Sequence, residues 1–98
     1  MKKRVSLALL VVATALTNPA FADVAGTYQK SCAACHDSGA LNAPKKGDKA
    51  TWQRLKSQKG MSQLIKSTRQ GMPQMPAMGL CQTCGDKDFE DLINYMAN

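Results

Sequence analysis

Cys32-Ala33-Ala34-Cys35-His36 is the segment that decides the reading of this 98-residue chain. Two cysteines three positions apart on a helix project to the same side, within reach of two vinyl groups of a haem. Each thiol adds to a vinyl to form a thioether, and the spacing is the one used for covalent haem c attachment. The adjacent histidine then lies under the iron and offers it a ring nitrogen. The small alanines between the cysteines leave room for the porphyrin edge. His36 is also the only histidine in the chain. The competing reading is a chance Cys-x-x-Cys followed by a surface histidine.

The N-terminus argues against chance. Met1-Lys2-Lys3-Arg4 precedes a short apolar stretch, Val5 to Ala13, and Ala20-Phe21-Ala22 places small residues where a signal peptidase reads. This pattern predicts a signal peptide over 1–22 and cleavage between Ala22 and Asp23. The apolar run is too short to span a bilayer, and Thr17-Asn18-Pro19 follows it closely. No cysteine follows for a lipid anchor, and no second apolar stretch approaches spanning length. The expected mature protein is therefore soluble and periplasmic, with no transmembrane anchor. That is the compartment in which haem c is attached.

The remainder, 23–98, is expected to be a single domain. So short a chain buries little core and generally needs a staple such as a metal, disulfide or cofactor. The whole chain holds two Phe, two Tyr and one Trp, and Phe21 lies in the expected signal. Of thirteen basic residues, Lys2, Lys3 and Arg4 lie there too, so ten face seven acidic ones and the mature balance is +3. Such a surface suits weak steering toward acidic partners rather than nucleic-acid binding, with a merely soluble surface as the plain alternative.

Helical periodicity predicts four helices. The first spans about Asp23 to Cys35, with Val24, Tyr28 and Cys32 on one face. Ala40 to Gly47 reads as loop, since Pro44 bars regular helix. A second helix, Lys49 to Lys59, is capped by Asp48 and ended by Gly60. A third runs from about Met61 to Gln70 and ends at Gly71. Met72 to Gly85 is irregular, broken by Pro73, Pro76, Gly79 and Gly85. Asp86 is expected to cap a last helix carrying Phe89, Leu92, Ile93 and Met96 as an apolar stripe.

With no second histidine, the sixth iron ligand is expected to be a methionine, a soft thioether that raises the potential; lysine or water are alternatives. The irregular segment offers Met72, Met75 and Met78. Met75 is preferred because Pro73 and Pro76 bracket it and limit its backbone. Cys81-Gln82-Thr83-Cys84 is followed by glycine, not histidine, which speaks against a second haem. In an oxidising compartment Cys81 and Cys84 are expected to form a disulfide pinning the Met75 loop to the last helix. A catalytic dithiol is the alternative, without a thioredoxin-like context to support it.

Tyr28, the Cys32–His36 motif, Gly39, Ala43-Pro44-Lys45, Gly47-Asp48-Lys49, Trp52, Met75-Pro76 and Cys81-x-x-Cys84 together make the chain resemble a bacterial class I cytochrome c, specifically the cytochrome c5 group. The resemblance covers nearly all of 23–98, and the cysteine pair after Met-Pro is its most specific mark. It implies an all-α class I cytochrome c fold around one covalent haem c. It places the haem on Cys32 and Cys35, His36 and Met75 on the iron, and the Pro44 carbonyl on the other ring nitrogen of His36. It implies a Cys81–Cys84 disulfide, packing of Tyr28 and Tyr95 between the first and last helices, and Trp52 near the haem or in the core. Two positions depart from the family pattern. Val24 stands where a glycine commonly lets the terminal helices cross, and Leu80 replaces a glycine after Gly79.

The expected activity is one-electron shuttling between periplasmic or membrane-bound redox proteins with acidic docking surfaces. A haem enzyme turning over peroxide or a small oxide is the second reading; it needs an open iron position and distal acid–base groups. A zinc site on Cys32, Cys35, Cys81 and Cys84 is the third; the two pairs lie much further apart than in zinc ribbons.

Overall fold

The computed structural model describes residues 19–98. The expected signal segment lies, up to residue 18, outside the described residues. Among those described there are five α-helices and no β-strand. They are α1 (Pro19–Ser31), α2 (Ala33–His36), α3 (Lys49–Lys59), α4 (Met61–Gln70) and α5 (Asp86–Ala97), with a 3-10 turn at Ala40–Asn42 between α2 and α3.

The expected first helix is thus two. The break falls at Cys32, where the backbone opens to φ −124°. Its carbonyl accepts from both Cys35 N–H at 3.2 Å and His36 N–H at 2.9 Å. A tightened turn there redirects the chain at the haem motif itself. The expected loop 40–47 contains the 3-10 turn, entered through Gly39 at φ +76°.

α3 and α4 have the expected bounds for the expected reasons. The Asp48 carboxylate accepts the Thr51 N–H at 3.2 Å and its hydroxyl at 2.7 Å. Gly60 and Gly71 leave the helices at φ +80° and +82°, where an L side chain is strained. At α5 the cap differs from expectation. Gly85, not Asp86, is the capping residue, and its N–H donates to the Asp88 carboxylate at 2.8 Å. Asp86 and Asp88 both sit in the first turn, where the helix dipole favours negative charge.

α5 is the central element. Phe89, Leu92, Ile93 and Met96 form its buried stripe and meet Tyr28 from α1, Trp52 from α3 and Leu64 from α4. Each such apolar side chain contributes about 1.5–3 kcal/mol by leaving water. α1 packs on α5, and α3 and α4 pack on each other and on α5. Tyr28 and Tyr95 meet with ring centroids 5.3 Å apart. That contact forms although Val24 replaces the glycine of the family pattern: Val24 packs against the core, while Gly26 faces outward.

Candidate haem site

α2, the 40–44 turn, α3, α4 and the 72–80 segment enclose a cavity of about 520 Å³. Its walls are mostly aliphatic, aromatic and thioether groups. His36 and Lys59 bring the only basic side chains, and no carboxylate lines it among the described residues. Cys32 and Cys35 are free thiols on one wall, both partly buried. Burial pushes the Cys32 thiol up, toward the neutral form.

His36 is 8% exposed and lines the same cavity. Its Nδ1 lies 2.7 Å from the Pro44 carbonyl oxygen. A carbonyl only accepts, so Nδ1 carries the proton and Nε2 keeps its lone pair for a metal. The Lys46 N–H returns to the His36 carbonyl at 2.8 Å, so the ring and its backbone are held by one loop.

The irregular segment supplies a second wall bearing Met72, Met75 and Met78. Their environments differ. Met72 is 46% exposed, and Met78 packs against the core at φ +68°. Met75 is partly buried; its N–H donates to the Met72 carbonyl at 3.0 Å and its carbonyl accepts the Met72 N–H at 2.9 Å, so the two residues hold each other's backbone. Pro73 lies within this tight turn and Pro76 follows it. Cys81 and Cys84 are joined by a disulfide just before α5, with Cα atoms 5.5 Å apart.

Sequence reading missed several contributors. Leu41 and Asn42 line the cavity with positive φ, at +54° and +63°. The Tyr28 hydroxyl donates to the Asp37 carboxylate, and the Lys46 ammonium sits 4.8 Å from the Tyr95 ring centroid. No local pattern marks these, because each is set by tertiary closure.

The donor set tests whether a haem fits: paired thiols for two thioethers, an imidazole with the correct nitrogen free, a soft thioether on the other wall, and mostly apolar walls. All are present in one cavity. Fold and cavity together define a single-haem c-type cytochrome.

The comparisons agree. A family model described as cytochrome c oxidase, cbb3-type, subunit III matches residues 19–96. Cytochrome c5 of Azotobacter vinelandii is 39% identical over 69% of this chain and 83% of its own. Cytochrome c-555 of Chlorobaculum tepidum is 38% identical over 98% of this chain and 95% of its own. A mono-haem ferrocytochrome c from Shewanella putrefaciens superposes with a TM-score of 0.69 at 33% identity, covering 76% of this chain and 91% of that one. A chain from an electron-transfer complex of nitrite reductase with cytochrome c superposes at 0.67 with 31% identity, covering 82% and 93%. The chain belongs to the class I c-type cytochromes, in the cytochrome c5 group, and is an electron-transfer protein with one covalent haem c.

Proposed function

We propose that Cys32 and Cys35 carry the haem, that His36 and Met75 ligate its iron, and that the protein shuttles single electrons between periplasmic redox proteins. The observation that carries this reading is the 2.7 Å bond from His36 Nδ1 to Pro44, which leaves Nε2 as the donor inside an apolar cavity. Met72 and Met75 fix each other's backbone through one reciprocal pair of bonds, and of the two it is Met75 that is partly buried while Met72 is exposed, which favours Met75 as the loop-borne ligand.

The bound haem supplies a one-electron couple between ferrous and ferric iron. His36 holds its Nδ1 proton on Pro44 throughout, so electron transfer moves no proton at this residue. The Met72–Met75 turn keeps the thioether in place in both states, which keeps reorganisation small. The apolar walls exclude water and, with a methionine ligand, favour a relatively high potential.

Electrons pass through the cavity mouth, where the exposed Leu41, Met72 and Leu80 form an apolar rim. Residues 49–70 hold six basic and no acidic residues. That stretch suits steering toward partners with acidic surfaces and short-lived docking. The basic and apolar N-terminus supports export. The structural neighbour found with nitrite reductase supports a redox protein as partner. No helix among the described residues is long and apolar enough to cross a membrane.

Visible spectroscopy of the oxidised protein tests the ligand assignment. A weak red absorption band, characteristic of thioether–iron ligation, is expected in the wild type and in Met72→Ala and Met78→Ala, and is lost in Met75→Ala. Persistence of the band in Met75→Ala contradicts the assignment. Ready carbon monoxide binding by the native reduced protein, from a form that shows no thioether band when oxidised, marks an iron position not held by methionine and favours the enzymatic reading instead.

A further inference from the structure

The segment behind His36 is held from several sides. The Pro44 carbonyl accepts from His36 Nδ1, the Lys46 N–H donates to the His36 carbonyl, and the Gly47 N–H donates to the Met96 carbonyl at 2.7 Å. Between Pro44 and Lys46, the Lys45 carbonyl accepts two donors. One is the Asp48 N–H at 3.1 Å, a bond local to the turn. The other is the Trp52 indole N–H at 2.9 Å, which comes from α3. Trp52 is 4% exposed, and its ring centroid lies 6.0 Å from that of His36. The indole, beside the histidine ring, thus bonds the carbonyl adjacent to the one that orients it.

We propose that Trp52 is a positioning residue for His36: its indole N–H anchors the Lys45 carbonyl and so keeps the Pro44 carbonyl seated on Nδ1. This rests on His36 being an iron ligand. A firm bond from Nδ1–H makes the imidazole a more electron-rich donor and favours ferric iron. Loosening the 44–45 peptide weakens that bond, makes the ring a poorer donor and shifts the midpoint potential upward. A tryptophan serving only as core filling affects stability and leaves the histidine bond alone.

Two replacements separate these roles in the intact haem-loaded protein. Trp52→Phe removes the N–H and some volume. 3-Benzothienylalanine at position 52 replaces the N–H by sulfur and keeps the bicyclic shape, which guards against a folding defect. Both are expected to raise the midpoint potential and to speed solvent exchange of the His36 Nδ1 proton, read by NMR, several-fold, while the red band persists. An unchanged potential and exchange rate in the sulfur isostere overturns the proposal, whatever the melting temperature does. A wild-type NMR spectrum lacking an iron-bound histidine overturns the parent reading and this one with it.

Discussion

Gly71 and Ala77 are packed backbone to backbone: a Cβ added to the glycine stands 2.8 Å from the Ala77 nitrogen. The same Cβ lies 3.0 Å from the Met75 carbonyl oxygen, and the glycine sits at φ +82°. The end of α4 and the Met75 turn close on each other only because position 71 has no side chain.

Gly71→Ala is therefore expected to act twice. The backbone at φ +82°, ψ 168° is essentially open to glycine alone and costs an L residue about 1–3 kcal/mol, and the clash with backbone atoms pushes the Met75 segment outward. A lower melting temperature together with a weakened red band at neutral pH is the expected outcome. A full-intensity band in the variant contradicts the placement of this turn.

Tyr28 is fully buried, and its hydroxyl donates to the exposed Asp37. Burial, followed by the bond to Asp37, raises its pKa well above the ordinary tyrosine range. Because the folded value lies above the unfolded one, the stabilisation is complete below about pH 10 and declines as pH rises beyond it. Tyr28→Phe is expected to cost about 1 kcal/mol at neutral pH, since Asp37 recovers water. It also removes part of the alkaline loss of stability. Chemical denaturation from pH 7 to 11 checks both; an alkaline slope unchanged in the variant rules out this role.

Asp48 titrates in the opposite sense. Its bonds to the Thr51 hydroxyl and N–H lower its pKa. The cap's contribution is present above the ordinary aspartate value, about pH 4, and is lost as pH falls through the depressed one. Asp48→Asn retains an acceptor and is expected to flatten the acid side of the stability profile, whereas Asp48→Ala lowers stability across the whole range. Thermal melts from pH 2 to 7 distinguish the three proteins. Parallel profiles for wild type and Asp48→Asn contradict the capping account.

The legible parts of the molecule are those written in local chemistry. Asp48, Gly60 and Gly71 punctuate α3 and α4, so their bounds follow from cap and glycine rules alone. The stripe Phe89, Leu92, Ile93 and Met96 states which face of α5 is buried. The break at Cys32 has no such signature, because Ser31, Cys32 and Ala33 all suit a helix and the turn is imposed by packing. The α5 cap lies one residue before the expected Asp86: Asp86 has a capping side chain, but Asp88 reaches back to the Gly85 N–H. Leu41 and Met78 adopt positive φ, which their residue types rarely take, beside Asn42, which takes it more readily; the closing of the cavity wall sets it. The Trp52 bond to Lys45 was illegible because the indole N–H can choose any nearby carbonyl.

Covalent attachment of one haem at Cys32 and Cys35 can be read from a single peptide. Trypsin cuts after Lys30 and Lys45, releasing Ser31–Lys45 with Cys32, Cys35 and His36 together. Mass spectrometry of this peptide from exported protein is expected to show one added haem, with fragmentation placing it on both cysteines. The bare peptide mass, or a haem carried elsewhere in the chain, contradicts the account.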